Sequence, residues 1–315
     1  MAIIGITGSE GLIGTALAQA LVDRGDAVRR LDVCLPIGHA GSGDVRIRDS
    51  VRRLVAGCDG VVHLAAVSRV LLGERDPTLC WDTNVLGTQE VIDACVAQAH
   101  RPWLLFSSSR EVYGQVDQLP VTEDTALRPL NIYGRSKAEA EARVFAARGL
   151  GLGTAVLRFS NVYGSTHDHA DRVVPAFARA ALWGGLLRVD GSSHVFDFTH
   201  LADTVRGILA TIDRLACGVV LPPIQLVTGQ GTTLSQLADL AQKTGGGCCR
   251  VVEAPARSYD VTQFVGSPQR ARELLGFAAT TSIAQGMAAL IAAFRALSPK
   301  EKAGAGLGPL TAQAE

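Results

Sequence analysis

Apolar and polar positions change their period several times along this chain, and those changes mark its elements. Residues 3–7, 27–32, 45–48, 60–65, 103–107 and 154–159 are short apolar runs bounded by Gly or polar residues, the pattern of strands. Between them the period lengthens to that of a helix. After the first run, Ile13, Leu17, Ala20 and Leu21 share one face, and Gly25 ends the helix with a residue tolerant of left-handed backbone. Further helices are expected over 50–56, with Asp49 placed to cap it, and over 85–99 and 133–148. Strands alternating with helices predict an α/β fold, a doubly wound parallel sheet of the Rossmann kind with helices on both faces.

The alternation loosens after Tyr163. Residues 165–199 read as loop-rich with one helix near 175–182. A helix follows at 201–214, a strand at 225–227, and helices at 234–244 and 283–296. This predicts a first domain over 1–164, rejoined by 200–228, and a smaller C-terminal α/β substrate lobe from 165–199 and 229–298. Residues 299–315 are rich in Ala, Gly and Lys and read as a disordered tail.

Charge narrows the partners. Lys plus Arg number 30 and so do Asp plus Glu, so no net basic field gathers nucleic acid or acidic membranes. An anionic ligand must be held by local devices instead. No apolar run is long enough to span a bilayer, and the start of the chain enters a strand directly, without a basic leader. The seven cysteines are irregularly spaced, and adjacent Cys248 and Cys249 suit one zinc poorly. Reduced thiols, no metal and a cytoplasmic location are the expectation.

Two local patterns carry chemistry. Thr7-Gly8-Ser9-Glu10-Gly11-Leu12-Ile13-Gly14 joins the first strand to the first helix. Glycines there let backbone approach a pyrophosphate, which the helix N-terminus stabilises through its free N–H groups. Asp32 ends the second strand, where a carboxylate accepts hydrogen bonds from ribose hydroxyls and repels a 2′-phosphate. NAD is thus the expected cofactor. Further on, Tyr133 and Lys137 are four apart and share a helical face. A free phenol titrates near pKa ~10, and a neighbouring ammonium favours its phenolate, which suits a general base.

These motifs, with His63-Leu64-Ala65-Ala66 and Asn84 in Asn-Val-Leu-Gly-Thr, resemble the extended short-chain dehydrogenase/reductase family, over about residues 2–290. The resemblance implies that Leu64, Ala65 and Ala66 line the cofactor cleft and that Asn84 supports backbone beside it. Asp49 would face the adenine, a role that can coexist with helix capping. In Phe106-Ser107-Ser108-Ser109-Arg110-Glu111-Val112-Tyr113-Gly114, it makes Ser109 the hydroxyl that polarises the substrate oxygen beside Tyr133. Glu111 falls where 4,6-dehydratases keep a proton-shuttling acid, though a salt-bridged loop acid is the plain alternative. Arg110 joins Ser109 in the substrate site.

On the substrate side the resemblance gives Asn161, Val174 and Arg257 to the nucleotide diphosphate and its base. Phe196 stands where such chains usually carry an Arg before Asp-Phe, which removes a bidentate cation; His194 substitutes or Arg257 acts alone. The implied substrate is a nucleotide-diphosphate sugar, and the implied reaction a hydride transfer from a sugar carbinol to NAD. A 4-epimerase that later returns the hydride leads. A dehydratase or decarboxylase is the rival within the class, and a non-catalytic NAD-binding regulator the rival outside it. The helices at 85–99 and 133–148 correspond to those that pair in homodimers of the family.

Overall fold

A computed structural model describes residues 1–246, 249–256 and 261–298; Cys248, Arg257 and 299–315 lie outside the described residues. From the N-terminus run β1 (Ile3–Thr7), α1 (Leu12–Asp23), β2 (Ala27–Leu31), α2 (Arg48–Val55) and β3 (Gly60–His63). Then come α3 (Val70–Arg75), α4 (Pro77–Trp81), a π-turn (Asp82–Leu86), α5 (Gly87–Val96), β4 (Trp103–Ser109), α6 (Ile132–Ala146) and β5 (Thr154–Phe159). The rest of the chain forms β6 (Asn161–Tyr163), α7 (Val173–Trp183), β7 (Gly185–Asp190), β8 (Val195–His200), α8 (Leu201–Ala216) and β9 (Ile224–Leu226). It ends with β10 (Gly231–Thr233), α9 (Leu234–Gly245), β11 (Cys249–Ala254), β12 (Gln263–Phe264), α10 (Gln269–Leu275) and α11 (Ile283–Ala296).

Six strands form one parallel sheet in the order β2-β1-β3-β4-β5-β9. Val61, Leu104, Phe106 and Val156 bury against α2, α5 and α6 on one face. Ile4, Ile6, Val62, Leu105 and Leu157 bury against α1 and α8 on the other. Strands covered on both faces must be apolar throughout, which is why their runs lack strict alternation. The chain leaves β1 toward β2 on one side and reaches β3 on the other. That reversal opens a crevice beyond the carboxyl ends of β1 and β3. A separate apolar cluster joins α7, α9 and α11 to β7 and β8.

Three expectations are corrected. No strand forms over 45–48: the Asp44 carboxylate accepts from the Arg46 amide (2.9 Å) and Asp44 C=O from Ile47 (3.0 Å), closing a turn instead. The next helix starts at Arg48, so Asp49 lies within its first turn and makes no cap bond; the residue before the helix is Ile47. Residues 165–199 hold two six-residue strands, β7 and β8, beyond the expected helix. Their partners, among them β11, β10 and β12, are remote in sequence. Such pairing leaves only a weak local signal.

The helix carrying Tyr133 is fixed from both ends. Asn131 caps it by accepting from the Gly134 amide at 2.8 Å. Farther along, Glu141 of α6 takes Arg158 of β5 in a buried pair at 2.7 and 3.0 Å. Arg158 also donates to the Tyr113 hydroxyl and the Glu123 carbonyl, each at 2.9 Å. With those donors satisfied, leaving either charge alone in the core would cost about 3–5 kcal/mol, so the pair fixes helix against sheet.

Candidate active site

One cavity of about 1020 Å³ opens along the crevice and runs from the α1 N-terminus past Tyr133 to residues 167–172. That is at the top of the roughly 300–1,000 Å³ range of ligand pockets, enough for a dinucleotide and part of a second ligand. Gly8, Gly11, Leu12, Ile13 and Gly14 line one end, with Asp32, Leu64, Ala65 and Ala66. Two glycines there are obligatory. Gly8 has φ +70°, and a Cβ on it would lie 2.7 Å from the Ala65 nitrogen; a Cβ on Gly14 would lie 2.1 Å from the Gly8 carbonyl oxygen. The loop is drawn tight so that α1 points its N-terminus into the crevice, the cradle a pyrophosphate requires. Asp32 is oriented by two backbone donors, Glu10 N at 2.9 Å and Cys34 N at 2.8 Å, one on each carboxylate oxygen. Each oxygen keeps a lone pair for a ribose hydroxyl.

Asp49 does not reach this cavity; it is exposed on α2. Asp44 and Val45, in the turn that replaced the expected strand, line the wall instead. Asn84 is buried in the π-turn and absent from the wall, and its amide bonds backbone that lines the wall. Its amide accepts from Val67 N at 2.8 Å, donates to Val67 C=O at 3.1 Å and reaches Ser136 Oγ at 2.9 Å. Val67 is on the wall, and a π-turn supplies the extra residue that aims Asn84 at it. Beneath lies a relay that sequence reasoning missed. Thr88 Oγ1 donates to Asn84 C=O at 2.6 Å, which leaves it to accept from His63 Nε2 at 2.9 Å; His63 Nδ1 then accepts from Thr7 Oγ1 at 2.6 Å. Burial pushes this imidazole down to about 3, so it serves as a neutral strut between the ends of β1 and β3.

The end of β4 meets the start of α6 at the centre of the cavity, bringing Ser109, Arg110, Glu111, Tyr133 and Lys137 to one wall. The Ser109 hydroxyl, which accepts from the Glu111 amide at 3.2 Å, shares the wall with the Tyr133 phenol. Lys137 Nζ donates to Ser107 C=O at 2.8 Å and sits 4.8 Å from the Phe106 ring centre. Burial dominates both titrations. It pushes the Tyr133 phenol up to about 12, against the pull of Ser109 and of the Arg172 charge. It pushes the Lys137 ammonium down to about 8, against Cys80 and Glu141.

Glu111 is engaged at both oxygens. Arg110 Nη2 lies 2.9 Å from Oε1, and Asn131 Nδ2 donates to Oε2 at 2.8 Å. Asn131 therefore holds Glu111 and caps α6 at once; its place just before a helix was a readable signal. Arg110 also donates to Asn161 Oδ1 at 3.4 Å and stacks 4.6 Å from the centre of the Phe196 ring. Its Nη1 is buried without a protein partner.

Asn161 is on the wall as expected, whereas Val174 is not: it is buried with Phe177, Ala178 and Ala181 on the packed face of α7. Arg257 lies outside the described residues. Sequence reasoning missed the outer wall, where Arg69, His167, Asp168, His169, Asp171 and Arg172 converge. Arg69 pairs with Asp171 across the mouth, and Arg172 lies 3.5 Å from Asp168.

This fold and site place the chain in a class: it belongs to the NAD dependent epimerase/dehydratase family, whose model matches residues 4–220. It is similar to a UDP-glucose 4-epimerase of Streptomyces lividans, 29% identical over 86% of this chain and 90% of that one. It is also similar to a dTDP-glucose 4,6-dehydratase of Streptomyces griseus, 33% identical over 91% of this chain and 92% of that one. Among solved structures it resembles MoeE5 in complex with UDP-glucuronic acid and NAD, at a TM-score of 0.82 and 30% identity, over 93% of this chain and 98% of that one.

Proposed function

We propose that the protein is an NAD-dependent nucleotide-sugar 4-epimerase. Gly8, Gly11, Leu12, Ile13 and Gly14 would cradle the pyrophosphate, Asp32 the adenosine ribose, and Leu64 to Ala66 the inner face. Residues 165–199 and 229–298 would form the lobe that closes on the sugar nucleotide. When bound, NAD would supply the hydride acceptor, and in its reduced form the hydride donor, for the carbinol carbon. Tyr133 would take the hydroxyl proton when the carbinol is oxidised to a ketone. Ser109 donates to that oxygen. Lys137 favours the phenolate and holds the nicotinamide ribose. Turning the keto-sugar over before the hydride returns inverts the centre, and Tyr133 returns the proton.

One observation carries the epimerase reading: both Glu111 oxygens are engaged, by Arg110 and Asn131. Loss of water needs a second acid or base free to move a proton, and Arg110 cannot give one up. The dehydratase reading rests on the buried carboxyl of Glu111 beside Tyr133 and on the similarity to the Streptomyces griseus dehydratase. The deciding experiment is the mass of the product formed from a panel of UDP- and dTDP-hexoses.

Cofactor choice tests the ribose assignment separately. Asp32→Ala should weaken NADH binding by about tenfold or more, the worth of a charge-assisted hydrogen bond, and narrow the preference over NADPH. Fluorescence titration with both nucleotides measures it. A wild-type protein that binds NADPH as tightly as NADH would sink the assignment.

We also propose a homodimer built on α5 and α6. Trp81 and Leu86 leave apolar surface exposed beside α5, and a two-fold patch is the commonest way to cover such a face. Light scattering should give twice the chain mass at micromolar concentration; monomer alone would refute the dimer.

A further inference from the structure

The outer wall of the cavity contains one group whose bonding is incomplete. The Asp168 side chain is 1% exposed. Its Oδ1 accepts from the His169 amide at 2.8 Å and faces Arg172 Nη1 at 3.5 Å. Its Oδ2 is buried and has no protein partner. A buried carboxylate oxygen left without a donor is costly, and in native proteins such an atom points to a ligand or water. Asp168 and Arg172 line the same cavity as Ser109 and Tyr133. The open oxygen therefore belongs to the sugar end of the site.

The charges around it limit what binds there. Four arginines line the cavity, and each faces an acid on the same wall: Arg46 with Asp44, Arg69 with Asp171, Arg110 with Glu111 and Arg172 with Asp168. Burial pushes His169 toward its neutral form. On the outer wall, where Arg69 and Arg172 are paired, a sugar bearing its own carboxylate would thus meet an acid with a free oxygen; the unpartnered Arg110 Nη1 is on the β4 side of the cavity. A neutral sugar would bring the missing donor.

We infer that Asp168 is a specificity-determining residue, whose Oδ2 accepts a hydrogen bond from a hydroxyl of a neutral hexosyl group and disfavours a uronosyl group in its place. This rests on the nucleotide-sugar reading above. The alternative roles for Asp168 are holding a water or holding Arg172, and neither would discriminate between sugars.

The test is calorimetric binding of UDP-glucose and UDP-glucuronate to NAD-loaded protein in a Tyr133→Phe background, which slows turnover by about 10²–10⁴-fold. UDP-glucose should bind about tenfold more tightly, the scale of one charge-assisted hydrogen bond. Asp168→Asn keeps the shape, removes the charge and should cut that preference to about twofold, within the spread expected of a neutral contact. Arg172→Gln, which leaves Asp168 in place without its cation, should widen it. NADH titration and thermal melting of each variant establish that fold and cofactor site persist. Equal affinities, a preference for the uronate, or a ratio that Asp168→Asn leaves unmoved would overturn the inference while the nucleotide-sugar reading stands. If neither nucleotide sugar binds the loaded protein, that reading falls and this inference with it.

Discussion

Tyr133→Phe should lower turnover by about 10²–10⁴-fold, the worth of a positioned proton transfer, and leave NADH affinity within a few-fold. The ring is buried, and Phe preserves its packing. Only the proposed proton carrier is removed. The pH profile adds a second signature. Without cofactor, burial holds the Tyr133 phenol at about 12 and the Lys137 ammonium at about 8, so both lean away from the phenolate–ammonium state the reaction needs. A positive nicotinamide ring beside the phenol favours its ionised form, so its pKa must fall when NAD binds. The sign follows. Activity should rise with pH as the phenol loses its proton and fall again as Lys137 loses its charge. Tyr133→Phe should abolish the rising limb in its residual activity. A variant with near-normal turnover, or one that retains the rising limb, would remove Tyr133 from the mechanism.

Much of this site is legible in sequence because its parts are local. The glycine loop, Asp32 and the Tyr133–Lys137 pair each depend on one turn, strand end or helix face, and spacing alone places them on the cavity wall. Asp49 illustrates the opposite case. The Asp44 turn consumes the residues that would have continued a strand, so the acid that reaches the wall lies five positions earlier in the chain. Val174 shows a related limit. It starts a helix near the cavity, but the apolar period of α7 turns it into the core with Phe177 and Ala181. The outer wall was illegible for another reason. Asp168, Asp171 and Arg172 look like a polar loop until Arg69, remote in sequence, closes on Asp171. His63 was read only as part of a motif, because its partners Thr7 and Thr88 come from separate elements.

Ser109→Ala and Glu111→Gln should separate the epimerase from its rivals by which of them stops the reaction. Ser109 is on the cavity wall with Tyr133, so its loss withdraws the donor that would polarise the reacting oxygen; removing such a donor typically costs about 10²–10³-fold. Glu111 is differently placed. Arg110 occupies one oxygen and Asn131 the other, and Asn131 also caps the helix that carries Tyr133. Its work in an epimerase is to position Arg110 and Asn131. Glu111→Gln keeps the side-chain shape and one acceptor oxygen, so turnover should fall by less than about tenfold, the scale of one weakened hydrogen bond. In a dehydratase the same carboxyl must move a proton, and an amide cannot. The product decides with the variants: an epimer has the mass of its substrate and leaves no net NADH, a dehydratase product lacks water, and a decarboxylase product lacks carbon dioxide. Unchanged mass with a strong Ser109→Ala effect and a mild Glu111→Gln effect is the expected result. Steady loss of water or carbon dioxide, abolished by Glu111→Gln, would replace the epimerase with a lyase while leaving Tyr133, Ser109 and the hydride step in their roles.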